Sequence, residues 1–226
     1  MAYDAVTLKM IISYPVGYGV FGSTINKKGD FIFINNEAAS TVTVIDLVSK
    51  SVKKIITGFA QPRQGVKLNA SNTKLYVTNF ANDKITVLDV ATLKIDTTIS
   101  GFNKIRAIAI TKDGNTLFAA NSGANSIAVV DIRTGIITKE ILVGKDPYGA
   151  TLSPDETLLM SGNKMDNTLS VIDVASLINT KTIPGFKEPR QAIVFSKNEK
   201  EVYVLNNNLT VNVVSLIKFS IIRIIQ

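Results

Sequence analysis

The chain has 226 residues, of which 46% are hydrophobic and 19% are charged, and its formal net charge is +7. It contains neither cysteine nor histidine, which excludes disulfides, thiolate–metal centres and every catalytic mechanism that uses a histidine or cysteine side chain. No apolar run reaches the roughly 20 residues that a membrane-spanning helix needs. The positive charge favours acidic partners, although most lysines stand singly beside predicted turns, as they do on an ordinary solvated surface.

A repeat of 42 or 43 residues runs through the chain. One column of aspartates closes runs such as VID and VLD, at Asp46, Asp89, Asp131 and Asp173. One further step back reaches Asp4, and one step forward reaches Ser215. A second column of asparagines closes the preceding run, at Asn36, Asn79, Asn121, Asn163 and Asn206. Two columns with the same spacing are typical of a repeat protein.

Within each repeat the apolar residues alternate with period two. The runs KLYVTN, KITVLD and KIDTTIS are short, rich in β-branched residues and bounded by turn-forming residues, and KIRAIAI adds a run that is suited to burial on both faces. These features predict four strands per repeat, which we call a to d from the inside outward. The predicted fold is therefore an all-β propeller with four-stranded antiparallel blades of about 42 residues.

In chain order, the sequence predicts an extra outer strand at residues 4–13, followed by five blades. The blades occupy about 14–57, 58–100, 101–143, 144–184 and 185–226 of one domain that spans 1–226. The predicted strands of the successive blades are 18–25, 31–35, 41–45 and 52–57; 63–68, 74–78, 84–88 and 94–99; 105–110, 116–120, 126–130 and 136–142; 148–152, 157–161, 168–172 and 179–183; 190–195, 201–205, 209–214 and 218–225.

Closure of the ring leaves one strand surplus. Residues 6–13 and residues 218–225 both have the pattern of the outermost strand of the last blade, and only one of them can take that place. We expect a closed five-bladed ring. A fragment of a longer propeller and a dimer formed through an exposed blade edge are the alternatives.

The stretch LYVTNFANDKITVLDVATLKIDTTISGF resembles the repeat of the YVTN β-propeller family, which is named for the tetrapeptide that stands here as Tyr76–Asn79. TLFAANSGANSIAVVDIRTG and DPYGATLSPDETLL are similar to the family's next segments. The resemblance covers residues 4–226 and implies a propeller, often of seven blades, in surface-layer or other exported proteins without an assigned activity. It therefore implies an extracellular or cell-surface place. The N-terminal residues lack the pattern of a signal peptide, so a cytoplasmic protein and an upstream signal both stay open.

The Asp and Asn columns are expected to be structural. An aspartate followed three residues later by Ser or Thr suits the turn between strands c and d, where the carboxylate accepts backbone N–H groups. Asparagine at the end of strand b tolerates a left-handed backbone and hydrogen-bonds its own turn. A catalytic residue would have to differ from its copies, and these do not.

A third column is different. At the start of strand a the repeats read VGYGV, QPRQGV, KIRAI, DPYGAT and EPRQAI, which places Tyr18, Arg63, Arg106, Tyr148 and Arg190 in one column. It contains three of the five arginines of the chain. Because strand a lines the channel of a propeller, we expect these side chains to ring its mouth, where guanidinium groups and phenols bind anions or flat groups. The alternative is that the arginines only hydrogen-bond loop carbonyls.

The predicted function is a non-catalytic scaffold or recognition module. Its partner would be a protein or an anionic small molecule or glycan at the channel mouth, with no cofactor and no metal; self-association through a blade edge is a further expectation. Nucleic acid is disfavoured because basic and aromatic residues are too thinly interleaved. The alternatives are a metal-dependent lactonase or sugar-ester hydrolase and a structural unit of a surface layer. The enzyme would need channel carboxylates, and only Asp146 and Glu188 lie near the third column.

Overall fold

The computed structural model describes all 226 residues, and they form a propeller of five blades. Its strands make five four-stranded antiparallel sheets and one two-stranded sheet, and the only helix is a 3-10 turn at Ser122–Ala124. This confirms the predicted all-β fold and the four-stranded blades. None of its helical segments is long and apolar enough to span a membrane.

The strands follow the chain from the inner to the outer edge of each sheet. In the N-terminal sheet they are β1 (Ala2–Tyr3) and β2 (Met10–Ile12). The first three blades contain β3 (Val20–Ile25), β4 (Phe31–Asn36), β5 (Thr41–Asp46) and β6 (Ser51–Ile56); β7 (Pro62–Leu68), β8 (Lys74–Asn79), β9 (Lys84–Asp89) and β10 (Lys94–Ile99); and β11 (Ile105–Ile110), β12 (Thr116–Asn121), β13 (Ser126–Asp131) and β14 (Ile136–Leu142). The last two contain β15 (Thr151–Leu152), β16 (Leu158–Asn163), β17 (Thr168–Asp173) and β18 (Ile178–Pro184); and β19 (Pro189–Phe195), β20 (Glu201–Asn206), β21 (Val211–Ser215) and β22 (Ser220–Ile225).

Blades pack on one another through alternating columns of the second strand. The column that faces the following blade contains Phe33, Tyr76, Phe118, Met160 and Tyr203; the first four are buried, and Tyr203 is only half-buried. The column that faces the preceding blade contains Ile32, Leu75, Leu117, Leu159 and Val202, and here only Ile32 is half-buried. The two incompletely buried members therefore belong to the fifth blade and to the first blade.

The five blades form an open arc, which corrects the closed ring expected from the sequence. Four buried clusters join consecutive blades, and no cluster joins the fifth blade to the first. The last strands show the same break: Ile56, Ile99, Ile141 and Ile183 are at most 6% exposed, whereas the matching Ile225 is 42% exposed. Burial of an apolar column needs a neighbouring sheet, and the arc has a free face at each end.

The N-terminal residues form a hairpin of their own. β2 covers only Met10–Ile12 of the predicted strand and pairs with β1, not with the fifth blade. The turn is built like the turns between strands c and d, because Asp4 accepts the N–H groups of Val6 and Thr7 and Leu8 has a φ of 56°. The hairpin thus has the structure of the outer half of a blade.

The Asp column closes the turn between strands c and d, as expected. Asp89 accepts the N–H and the hydroxyl group of Thr92, each at 2.9 Å, and Asp173 accepts the same two groups from Ser176. Hydrogen bonds from the Thr92 backbone and hydroxyl, together with Lys74, hold the pKa of Asp89 at about 2. The pKa values of Asp46 and Asp173 are also lowered, mainly by their bonds to Ser49 and Ser176. These carboxylates stabilise turns.

We expect the melting temperature to fall as the pH drops from about 4 to about 2. A carboxyl group with a pKa of about 3.9 when unfolded and about 2 when folded stabilises the fold above the first value and loses that contribution as the pH falls through the second. The difference in melting temperature between wild type and Asp89→Asn should therefore shrink from pH 6 to pH 2. A difference that stays constant with pH would contradict this account of Asp89.

Three members of the Asn column, Asn79, Asn121 and Asn206, hold the loop that enters strand a. The expected left-handed backbone at the five asparagines is wrong. The Oδ1 of Asn79 accepts the N–H of Ala60 at 2.9 Å, and its Nδ2 donates to Thr86 Oγ1 at 2.9 Å. The Oδ1 of Asn206 accepts the N–H of Lys187 in the same way. The left-handed residues follow three or four positions later, at Ser40, Asp83, Asn125, Asn167 and Leu209.

Candidate binding site at the channel mouth

Four of the five innermost strands begin with a β-bulge. These beginnings lie at one end of the inner surface of the arc, which we call the channel mouth. The residues that pair with the Asn column are Val20, Pro62, Ile105, Pro147 and Pro189, and the register shifts just after the pairs in β3, β7, β11 and β19. A left-handed residue precedes each of these residues, at Gly19, Gln61, Lys104, Asp146 and Glu188. The residue that follows is Phe21, Arg63, Arg106, Tyr148 or Arg190. Because a bulge turns its side chains out of the regular alternation, the same backbone device presents this column at the mouth.

The pairing register gives the first-blade position to Phe21, not to Tyr18. Tyr18 precedes the left-handed Gly19 and is 86% exposed, whereas Phe21 directly follows the residue that pairs with Asn36. The sequence alignment followed the Tyr–Gly pair that Tyr18–Gly19 shares with Tyr148–Gly149, whereas Phe21 follows Asp4 by 17 residues, as the other four members of the column follow their aspartates. Arg63, Arg106, Tyr148 and Arg190 occupy the position that the sequence predicted.

Small residues bring neighbouring inner strands into close contact. A Cβ atom on Gly65 would lie 2.5 Å from the carbonyl oxygen of Arg106, and one on Gly22 would lie 2.7 Å from that of Arg63. A Cβ on Gly149 would meet the carbonyl oxygen of Arg190 at 3.3 Å. Glycine is needed at 22 and 65 because real Cβ atoms do not approach backbone atoms so closely. The bulges of successive blades therefore adjoin.

Two arginines of the column stack on aromatic rings. The Cζ of Arg63 lies 3.7 Å from the ring centre of Phe80, and the Cζ of Arg106 lies 4.6 Å from the same ring and 4.6 Å from the ring of Tyr148. Phe21 extends the group, with its ring centre 5.9 Å from the Cζ of Arg63. A desolvated contact of this kind contributes up to about 2 kcal/mol and restrains the plane of the guanidinium group.

Sequence reasoning missed the column to which Phe80 belongs. In the first four blades the residue after the Asn contacts the mouth of the next blade. Glu37 Oε1 accepts from Arg63 Nε at 2.7 Å, Ser122 donates to Asp146 at 2.7 Å, and Lys164 pairs with Glu188 at 3.6 Å. The position carries Glu, Phe, Ser and Lys in turn, so no shared residue type identifies it. Its regular spacing after the Asn column was the only available signal.

Arg106 differs from Arg63 in its hydrogen bonding. Arg63 is engaged by Glu37. The Arg106 side chain is only 13% exposed, its Nε is buried without a partner, and its nearest carboxylate oxygen, on Asp146, lies 4.0 Å from Nη2. Buried donors are nearly always satisfied, so the unpartnered Nε of Arg106 is an exception that a bound water, ion or ligand would explain.

Unpartnered amides lie on the same bulges. Gln64 follows Arg63 and Gln191 follows Arg190, and both side chains are half-buried. The Nε2 and Oε1 of Gln64 and the Oε1 of Gln191 are buried without a hydrogen-bond partner. Arg190 itself has no ion pair within 4.0 Å. The mouth therefore combines the guanidinium groups of Arg106 and Arg190 with amide donors and acceptors.

The acidic residues near the mouth are already engaged. Asp146 accepts the Ser122 hydroxyl, and Glu188 faces Lys164. No group of three or more aspartate or glutamate side chains is placed so that it could hold a metal ion. Away from the mouth, grooves of about 350, 430 and 470 Å³ open at equivalent places between the first four blades, so they are products of the repeat.

A family model matches this chain. The model of the YNCE-like beta-propeller matches residues 87–220, which is more than half of the chain. The chain belongs to this family. The YNCE-like family agrees with the propeller resemblance of the sequence, and no curated protein matches the chain.

Two solved structures share the fold of this YNCE-like chain. Kuenenia stuttgartiensis hydrazine synthase is 22% identical, with a TM-score of 0.79, and the match covers 90% of this chain and 65% of that one. A functionally unknown protein from Desulfotomaculum acetoxidans is 18% identical, with a TM-score of 0.85, and the match covers 98% of this chain and 74% of that one. The YNCE-like chain thus spans less than two thirds of the hydrazine synthase chain. At these identities the likeness concerns the fold alone.

Proposed function

We propose that the chain is a non-catalytic recognition module whose channel mouth binds an anionic ligand through Arg106. The observation that carries the proposal is the state of this side chain, which is stacked on Phe80 and Tyr148 while Nε is buried without a partner. Stacking occupies the faces of the guanidinium group and leaves its edge for a carboxylate or phosphate, which it matches with two parallel hydrogen bonds.

The neighbouring residues support a binding role. Arg63 is neutralised by Glu37, and its stacking holds Phe80 in place beside Arg106. Arg190 is also without an ion pair, but of the two only Arg106 is stacked and has a buried Nε without a partner. A guanidinium group stays protonated in proteins and cannot relay a proton. Asp146, the nearest carboxylate, already accepts the Ser122 hydroxyl. This chemistry favours binding over acid–base catalysis.

The test is isothermal titration calorimetry with sodium phosphate and with sodium citrate. We expect Arg106→Ala to weaken binding about 10- to 100-fold, which corresponds to the loss of hydrogen bonds between charged groups. The affinity of Arg106→Lys should fall between those of wild type and Arg106→Ala, because lysine keeps the positive charge and lacks the planar guanidinium group. The matched control is Arg133→Ala, since the Arg133 side chain is 83% exposed and lies on a turn between strands c and d. Equal affinity of wild type and Arg106→Ala would overturn the proposal.

A further inference from the structure

The unpartnered amides of Gln64 and Gln191 indicate what accompanies the anion. We infer that the ligand at the mouth is an acidic peptide segment, with an Asp or Glu side chain on Arg106 and backbone amides on Gln64 and Gln191. The inference rests on the proposed function, because it takes Arg106 as the anion-binding group. It adds the class of ligand and two residues that select it.

The hydrogen-bonding capacity of the two glutamines excludes an anion without N–H or O–H groups as their only partner. A primary amide has two donors and one acceptor oxygen. A carboxylate satisfies the donors and leaves the acceptor without a partner, whereas Oε1 is unpartnered in both Gln64 and Gln191. Burial of an unpaired acceptor costs about 1–3 kcal/mol. A ligand that recovers this cost must bring N–H or O–H groups as well as a negative charge.

The placement of the glutamines fits an extended ligand. Gln64 lies on the bulge of the second blade, next to Gly65, whose Cα adjoins the carbonyl group of Arg106 in the third blade. Gln191 lies on the bulge of the fifth blade, where its Cα is 3.3 Å from the position of a Cβ on Gly149 in the fourth. The amides therefore stand on the two sides of Arg106 and Tyr148 around the arc, and a peptide backbone offers N–H and C=O groups at intervals along its length.

The charge of the site favours a single carboxylate. Glu37 offsets Arg63, and Asp146 lies 4.0 Å from Arg106. A doubly charged phosphate would meet repulsion from Asp146 in a half-buried setting, where charges are poorly screened. An Asp or Glu side chain brings one charge and the planar shape that matches the guanidinium edge.

The experiment compares four probes by calorimetry. They are the blocked peptide acetyl-Gly-Glu-Gly-amide, the same peptide with Gln at its centre, sodium phosphate and sodium glucuronate. We expect the Glu peptide to bind most tightly. Gln64→Ala and Gln191→Ala should each weaken it about 2- to 10-fold, as for the loss of one hydrogen bond, and leave phosphate binding unchanged. The control is Asn82→Ala, which removes an exposed side-chain amide from the loop between strands b and c of the second blade.

The outcomes separate this inference from the proposed function. If Arg106→Ala weakens binding of the Glu peptide while Gln64→Ala and Gln191→Ala leave it unchanged, the peptide assignment fails and the anion site stands. Glucuronate or phosphate binding as tightly as the Glu peptide also overturns the assignment. If no probe is weakened by Arg106→Ala, the proposed function itself fails. Unchanged melting temperatures of the glutamine variants show that the comparison is made on folded protein.

Discussion

Tyr76→Ala is expected to lower the free energy of unfolding by about 3–5 kcal/mol, whereas Tyr203→Ala should lower it by about 1 kcal/mol or less. The two tyrosines occupy the same position of their blades. Tyr76 is 4% exposed and packs in the cluster between the second and third blades, while Tyr203 faces the free end of the arc and is half-buried. The difference between the two losses measures how much packing against a following blade contributes to the free energy of unfolding.

Urea unfolding of both variants at low protein concentration gives the comparison. The hydroxyl of Tyr203 donates to Glu201 at 2.9 Å on the same strand, so Tyr203→Phe controls for that bond and should be nearly neutral. Equal losses for Tyr76→Ala and Tyr203→Ala would contradict the open arc, because they would mean that the face of the fifth blade is covered in solution.

Gly65→Ala is the second change with a large expected effect, a loss of about 3 kcal/mol or more. A Cβ at this position would overlap Thr78 and lie 2.5 Å from the carbonyl oxygen of Arg106, so the second and third blades would have to separate at the mouth. Overpacking of this kind costs about 1–3 kcal/mol, and more where the obstacle is backbone. The same displacement moves Arg106 and should weaken anion binding.

Gly114→Ala is the matched control for Gly65→Ala. Gly114 has a φ of 73°, and no atom lies within 4 Å of the place that a Cβ would occupy. Alanine there therefore costs only the strain of a left-handed backbone, about 1–2 kcal/mol. Gly114→Ala should leave anion binding unchanged. Similar losses of stability in the two variants, measured by chemical unfolding, would contradict the role of Gly65 as the contact between adjacent inner strands.

The repeat made the blades predictable, and the same repeat concealed the ends of the arc. Period-two alternation and the two polar columns located every strand of the five blades to within a few residues. Tyr203 and Ile225 have the residue types of their buried counterparts Tyr76 and Ile99, so the sequence of the fifth blade does not reveal that its face is free. Burial depends on a neighbouring sheet, which a local pattern does not specify.

The candidate site was predictable in its column and not in its contacts. Arg63, Arg106, Tyr148 and Arg190 stand where residue spacing placed them. Tyr18 was misaligned because its Tyr–Gly pair matches Tyr148–Gly149. The constant spacing of 17 residues from the Asp column gives Phe21 instead, in agreement with the register of β3 with β4. Phe80 was overlooked because its column changes chemistry from blade to blade, and its role depends on packing between blades.

The central claim is that the guanidinium edge of Arg106 receives the anion. The most direct measurement is a proton–nitrogen NMR titration of the arginine Nε–H signals with acetyl-Gly-Glu-Gly-amide, with Arg106 assigned through Arg106→Lys. We predict that the Arg106 Nε–H signal shifts with a saturable binding curve, while that of Arg133 stays in place. A titration in which the Arg106 signal does not move, or moves no more than that of Arg133, would contradict the account.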